Sequence, residues 1–229
     1  MYYEPGISNH GLPFNPFKSC IVPRPIGWIS TTSADGADNL APFSQFQMVN
    51  YDPPMVMFSA NQNLHGRRKD TVVNIEHTGE FVWNMATWDL REAVNLSSEE
   101  LPHGGDEFLH AKLEKAASTL VRPPRVAASP IQFECRHFQT LRLPGNGAVG
   151  SVDVVFGRVV AIHIADQFLR SDGRLDIEGI RPLARVGYHD YTSVDTVFTM
   201  TPRGSPVRLA GLEGSPEKMS DALRQVRGS

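Results

Sequence analysis

The sequence predicts a mainly β protein whose strands form an antiparallel barrel. Two long runs, 131–143 and 151–165, place apolar residues at every second position. This is the spacing of a strand with one buried face. The 19 glycines and 17 prolines among 229 residues favour many turns. Further short strand-like segments, given below, favour antiparallel pairing over a sheet of alternating strands and helices.

The two long runs differ in which positions are apolar. The first run is expected to bury its odd-numbered face, and the second its even-numbered face. These faces are Ile131, Phe133, Cys135, Leu141 and Leu143 in the first run, and Val152, Val154, Phe156, Val160, Ile162 and Ile164 in the second.

The remaining elements follow from local signals. Residues 1–20, with three prolines, are typical of an irregular arm. Strands are predicted at 26–32, at 39–48 with a break at Pro42, at 55–60 and at 80–85. Asp70 is expected to cap a short helix that ends at Gly79, and 88–96 predicts a second helix. The polar end of the chain is expected to be an extended tail with a short helix near 216–227.

The segment joining the two long runs, Gly145–Gly150, has the G-x-G-x-x-G spacing of dinucleotide-binding loops. That motif functions when a strand precedes it and a helix follows, because the pyrophosphate lies at the helix N-terminus. Here the following residues, Ser-Val-Asp-Val-Val-Phe, alternate like a strand. We therefore interpret these glycines as a hairpin loop.

Composition excludes several classes of protein. The net charge of -3 gives no basic surface for nucleic acid. No apolar run is long enough for a membrane helix, and the N-terminus lacks the pattern of a secretory signal. Two cysteines do not make a disulfide framework, so we expect a cytoplasmic protein. We find no catalytic acid, base or nucleophile that stands out, and no spacing typical of a metal site.

Two segments could bind a ligand. The first, 24–46, combines hydroxyl and aromatic side chains on one predicted hairpin, although each hydroxyl alone could be an ordinary strand residue facing solvent. The second, 67–71, places Lys69 at the start of a helix, where free N–H groups and the helix dipole attract anions. A solvated basic turn with a capping aspartate explains the second segment equally well.

These segments belong to an ordered set of motifs that resembles the flavin reductase-like, FMN-binding split-barrel family. The motifs are RPIGWISTT, NLAPFSQF, DPPMVMFSAN, KDTVVNI and PLARVGYHDY, in this order along the chain. The resemblance implies a six-stranded antiparallel split β-barrel with Greek-key topology and a few peripheral helices. It places this domain at 14–195, between an N-terminal arm at 1–13 and a polar C-terminal tail at 196–229.

The resemblance also implies a function. It implies a homodimer with FMN bound near the subunit interface and NAD(P)H-dependent reduction of flavin, with a monooxygenase as a possible partner for reduced FMN. Two alternatives stay open: a non-catalytic flavin carrier or electron-transfer protein on the same barrel, and a cofactor-free interaction protein. The sequence does not distinguish NADH from NADPH, or FMN from FAD.

The resemblance implies roles for individual residues. Hydroxyl groups and Lys69 would bind the phosphate, aromatic residues and Pro42 would cover the isoalloxazine, and Arg24 or Lys69 would stabilise the reduced flavin. The candidate cofactor-binding residues are Arg24, Trp28, Ser30, Thr31, Thr32, Asn39, Ala41, Pro42, Phe43, Ser44, Ser59, Ala60, Asn61, Lys69, Asp70 and Thr71.

Overall fold

The computed structural model describes residues 1–63, 65–102, 105–147, 150–200 and Arg224. The chain divides into two units, Met1–Asp195 and Thr196–Ser229. In the second unit, residues 196–200 have no regular secondary structure. The helix predicted near 216–227 lies outside the described residues apart from Arg224, which is helical. The boundaries expected for the arm, the domain and the tail stay predictions.

The first unit is built mainly from strands. In chain order they are β1 (Arg24–Pro25), β2 (Gly27–Thr32), β3 (Asp38–Phe43), β4 (Phe46–Tyr51), β5 (Pro54–Asn61), β6 (Glu80–Asn84), β7 (Lys115–Ala116), β8 (Arg125–Val126), β9 (Ile131–Leu143), β10 (Val152–Ile164), β11 (Leu183–Gly187) and β12 (Asp190–Ser193). The α-helices are α1 (Asp70–Thr78), α2 (Arg91–Leu96), α3 (Glu107–His110) and α4 (Ile177–Ile180). Among the described residues, 3-10 turns occupy Phe17–Ser19, Trp88–Leu90 and Asp166–Phe168.

The main sheet has seven strands in the order β3-β2-β6-β9-β10-β5-β4, and every pairing in it is antiparallel. A small sheet of β1, β11 and β12 and a two-stranded sheet of β7 and β8 accompany it. The predicted antiparallel architecture is confirmed, with one more strand in the main sheet than the six expected.

The loop between the two long strands is a hairpin connection, as predicted. Leu143 at the end of β9 pairs directly with Val152 at the start of β10. No helix follows the glycines among the described residues of this loop, so the dinucleotide-binding interpretation is excluded.

Aromatic side chains fill the core inside the main sheet. Phe58 and Phe81 are fully buried and meet edge to face, with ring centroids 5.9 Å apart. Gly157 of β10 makes room for this packing, because a Cβ there would lie 2.2 Å from Cζ of Phe81. A second buried cluster surrounds Trp28 and Phe108. The two clusters fix β2, which lies between them with both of its faces covered.

The predicted buried face of β10 is wrong. The residues that point into the core are the odd-numbered Asp153, Val155, Gly157 and Val159, which are buried, while Val152, Val154 and Phe156 are half-buried. Alternation shows which residues share a face, but not which of two faces meets the core. Asp153 is tolerated inside because Arg68 Nε and Arg142 Nη1 donate to it at 2.9 and 3.2 Å.

In β9, the first residues behave as predicted and the last do not. Ile131 and Cys135 are buried, but Leu141 and Leu143 are 47% and 42% exposed. Burial also raises the pKa of the Cys135 thiol, which suits the role of an inert core residue.

Three further expectations need correction. Pro42 does not break a strand: it lies within β3, and the chain bends at 44–45 instead. An edge strand tolerates proline, because one row of its N–H groups needs no partner in the sheet. Asp70 is the first residue of α1, and Lys69 holds the capping position, whereas Gly79 ends the helix as predicted. The helix predicted at 88–96 begins as a 3-10 turn and becomes α-helical at Arg91.

A buried carboxylate attaches the segment before β9 to the sheet. Glu134 is fully buried, and its two oxygens accept hydrogen bonds from the amides of Thr119 and Leu120 at 2.7 and 2.6 Å. His163 on β10 approaches the same carboxylate at 2.6 Å. Burial alone would raise the pKa of Glu134, but these hydrogen bonds hold it below its ordinary value.

We therefore predict that Glu134→Gln destabilises the protein. At neutral pH the free energy of unfolding should fall by about 1–3 kcal/mol, because an amide oxygen replaces a carboxylate that accepts several bonds. Since the pKa of Glu134 is lower in the folded state, its contribution is present above the unfolded pKa and disappears as the pH falls through the folded pKa. The difference between wild type and variant should therefore shrink below about pH 4.5.

Denaturant unfolding at neutral and acidic pH measures this difference. Glu92→Gln is the control, because the Glu92 side chain is 81% exposed. Equal losses at every pH, or equal losses in both variants, would contradict the assignment.

Candidate functional site

A cavity of about 450 Å³ lies beside the N-terminus of α1. One wall is strand β3, and another is the segment 97–102 that follows α2. Glu107 of α3 closes part of the same space. The cavity is therefore assembled from elements far apart in sequence.

Two side-chain hydrogen bonds hold α1 against the first hairpin. The Asn39 amide donates to the hydroxyl of Thr71 at 3.0 Å, and the Asn74 amide donates to the hydroxyl of Thr31 at 3.1 Å. Thr71, Asn74 and Thr31 are buried. These bonds set the position of the helix start relative to β3.

The start of α1 favours a negative charge. The first N–H groups of a helix have no acceptor within the helix, and the helix dipole adds a partial positive charge there. Lys69 precedes the helix in an extended conformation, so its side chain joins these groups at the cavity wall. Arg67 and His65 line the same cavity.

An acidic side chain of the protein already occupies this positive region. The Lys69 ammonium donates to Oε1 of Glu100 at 2.5 Å, across the cavity from the helix start to the segment 97–102. Lys69, and to a lesser degree His65 and Arg67, hold the pKa of Glu100 below its ordinary value. The cavity thus stabilises a carboxylate where an anionic ligand group could bind.

The environment of Glu107 shifts its pKa in the opposite direction to that of Glu100. Glu107 is 9% exposed, and burial raises its pKa, although one oxygen accepts a hydrogen bond from the Leu40 amide at 3.0 Å. The cavity therefore combines a cationic side with a buried carboxyl that resists ionisation.

The structure brings together part of the predicted set of site residues. Those that line the cavity are Asn39, Ala41, Pro42, Phe43, Lys69, Asp70 and Thr71. They come from β3 and from the beginning of α1, the two segments in which the sequence indicated ligand binding.

The predicted residues on β2 are buried beside the cavity and bonded elsewhere. The Trp28 indole donates to the hydroxyl of Ser97 at 2.9 Å, and the Ser30 hydroxyl donates to the carbonyl of Pro124 at 2.6 Å. Thr31 accepts from Asn74, and Thr32 donates to Asp38 at 2.7 Å. Their hydroxyl groups are therefore used within the protein.

The other predicted residues lie outside this cavity. Arg24 and Ser44 line a separate cavity of about 310 Å³ beside the 3-10 turn Phe17–Ser19, and Arg24 Nε donates to the carbonyl of Ser44 at 3.2 Å. Ser59, Ala60 and Asn61 end β5, where they pair with β10. None of these three lines the cavity beside α1 or the cavity that contains Arg24.

Sequence reasoning missed the far wall of the cavity. The residues of that wall are Ser97, Ser98, Glu99, Glu100, Leu101, Pro102 and Glu107. Asn63, His65, Arg67 and Arg68 also line the cavity without being among the candidate residues, although Arg67 and Arg68 belong to the segment 67–71 considered for ligand binding. Glu99 and Glu100 have the appearance of a solvated pair in the sequence, and no local pattern places them opposite Lys69. Only the packing of α2 against the barrel brings them there.

The described residues include no group of three or more histidine, cysteine, aspartate or glutamate side chains placed to hold a metal ion. No helix among them has the length and apolar character needed to cross a membrane.

Comparison with known proteins finds relatives over most of the chain. The family model for the flavin reductase like domain matches residues 19–179. An uncharacterized protein of Aquifex aeolicus is 37% identical over 167 residues, which is 73% of this chain and 82% of that protein.

Solved structures of other proteins have a similar fold. Nitrilotriacetate monooxygenase component B from Bacillus cereus has a TM-score of 0.80 and 29% identity, covering 87% of this chain and 98% of that chain. A split-barrel structure from Shewanella frigidimarina has a TM-score of 0.68 with 21% identity, covering 78% of this chain and 86% of that chain. These likenesses confirm the split-barrel fold.

Proposed function

The chain belongs to the flavin reductase-like domain family, and on this premise we propose that it is an oxidoreductase that binds FMN and reduces it with NAD(P)H. The observation that carries the proposal is the ion pair of Lys69 with Glu100 beside the start of α1. A carboxylate held by the lysine that precedes a helix supports the presence of a site for a phosphate group.

The phosphate of FMN would be held by the Lys69 ammonium and the first backbone N–H groups of α1. Thr71 would contribute through its backbone, because its side chain is buried against Asn39. For the phosphate to reach Lys69, the carboxylate of Glu100 has to move away. Glu100 therefore acts as an internal competitor for the phosphate.

The ring system would lie along β3. Ala41, Pro42 and Phe43 line the cavity and provide an apolar wall for an isoalloxazine. FMN, when bound, supplies the hydride-transfer and electron-transfer chemistry, and the protein orients it and limits access of water. No side-chain acid or base is assigned to the reaction.

The destination of the electrons is a further part of the proposal. The Bacillus cereus relative is a component of a monooxygenase. By analogy, we propose that reduced FMN from this protein serves a partner oxygenase. The two cysteines are unpaired, which supports a reducing cytoplasm as the location.

We also propose that the protein is a homodimer. On the outer face of the long hairpin, Leu141 pairs with Val154 and Leu143 pairs with Val152. Leu141 and Leu143 are 47% and 42% exposed. A contiguous apolar face at the surface is typical of a protein interface.

The first prediction of the proposed function is that the protein oxidises NADH or NADPH in the presence of FMN. The decrease in nicotinamide absorbance measures the reaction, with FMN omitted as the control. Tight binding of FMN without oxidation of either nucleotide would contradict the reductase proposal and favour a flavin carrier. A protein that neither binds FMN nor quenches its fluorescence would contradict both.

The second prediction concerns the ion pair. Lys69→Gln should weaken FMN binding about tenfold or more, because a charge-assisted contact to the phosphate is lost. Glu100→Gln should strengthen FMN binding, by about threefold or more, because the competing carboxylate is removed. Quenching of FMN fluorescence measures both dissociation constants.

Glu92→Gln is the control for this pair, because Glu92 lies on α2 outside the cavity. If Glu100→Gln weakened FMN binding, Glu100 would be a ligand of the cofactor and not its competitor.

The third prediction concerns assembly. Light scattering at micromolar concentration should give the mass of a dimer, and Leu141→Glu should shift the protein to monomer. Leu109→Glu is the control, because Leu109 is 79% exposed on α3, away from the hairpin. A monomeric wild type, or equal effects of both substitutions, would count against this interface.

A further inference from the structure

Apart from the cavity that contains Arg24, a further cavity, called the second cavity below, adjoins the first at Pro42. Its volume is about 320 Å³, which is within the range of small-molecule sites. Pro42 and Ser98 line both cavities. The two spaces therefore share a wall formed by β3 and by the segment that follows α2, and a ligand in one lies next to a ligand in the other.

The second cavity differs from the first in charge. The closing hairpin of β11 and β12 contributes Arg185, His189 and Tyr191, and α2 contributes Asn95. Among the described residues that line it, none is acidic. The first cavity, in contrast, contains several carboxylates along with its cations. A wall of cationic and neutral hydrogen-bonding groups without a carboxylate is suited to an anion.

Arg185 is held in place for such a role. Its Nη1 donates to the hydroxyl of Tyr191 at 2.5 Å, its Nη2 donates to the carbonyl of Tyr188, and the guanidinium lies 4.6 Å from the centre of the Tyr191 ring. No carboxylate within the described residues forms an ion pair with Arg185. A guanidinium has five N–H donors, and these two bonds use only two of them. The remaining N–H groups are therefore held in place to donate to a ligand.

We propose that this second cavity binds the diphosphate of the nicotinamide nucleotide, with Arg185 as its principal contact. This inference rests on the proposed function, because it places the nicotinamide nucleotide next to the proposed flavin site. A diphosphate at Arg185 leaves the nicotinamide end of the nucleotide free to reach the first cavity past Pro42. Asn95 and Ser98 supply neutral hydrogen-bonding groups around the same anion.

The test uses ADP-ribose, which carries the diphosphate but cannot transfer a hydride. Isothermal titration calorimetry measures its binding to the full chain, with and without FMN. Arg185→Gln should raise the dissociation constant of ADP-ribose about tenfold. The same variant should raise the KM for the nicotinamide nucleotide by a similar factor, with little change in kcat and no change in FMN affinity.

A second variant tests the same cavity without a change in the closing hairpin, so that misfolding of the hairpin cannot explain the result. Asn95→Asp places a carboxylate in the cavity from an exposed position on α2, and it should also weaken ADP-ribose binding. Arg170→Gln is the control, because Arg170 is an exposed arginine that lines none of the described cavities.

The outcomes separate this inference from the proposed function. If FMN binds and is reduced while both variants bind ADP-ribose like wild type, the inference is wrong and the function stands. If FMN does not bind but ADP-ribose binding depends on Arg185, the subsite stands and the proposed function is wrong. If benzoate binds in an Arg185-dependent way and ADP-ribose does not, the cavity takes a carboxylate and the assignment to a diphosphate is wrong.

Discussion

The position of helix α1 against the first hairpin is the constraint on which the site depends. Two hydrogen bonds between side chains, from Asn39 to Thr71 and from Asn74 to Thr31, connect the helix to strands β2 and β3. They place the positive end of the helix at the edge of the sheet. There Lys69 meets a carboxylate from a distant part of the chain, and the anion-binding character of the cavity follows from that geometry.

The architecture was largely predictable, and the details of burial were not. The alternation of apolar and polar residues predicted both long strands and their antiparallel pairing, because successive side chains of a strand point to opposite faces. The same alternation predicted the wrong buried face for β10. The face that is buried carries Asp153 and Gly157, where large apolar residues were expected. Asp153 is neutralised by two arginines, and Gly157 leaves room for Phe81. Neither reason is visible until the neighbouring strands are in place.

The site was predictable where it is local in sequence. Lys69 and the start of α1 carry a signal that the chemistry of helix termini explains. The hydroxyl groups of β2 looked equally suitable, but Ser30 donates to the carbonyl of Pro124, a partner 94 positions away. The opposite wall, with Glu100 and Glu107, depends on tertiary packing alone. A pattern of residue types thus indicates which groups could bind a ligand, and packing decides which of them are available.

A crystal structure of the protein with FMN bound would show directly which groups hold the phosphate. We expect the phosphate to lie at Lys69 and the first turn of α1, with the Glu100 carboxylate displaced from Lys69. A phosphate bound elsewhere, or an intact ion pair between Lys69 and Glu100 in the flavin complex, would contradict the account.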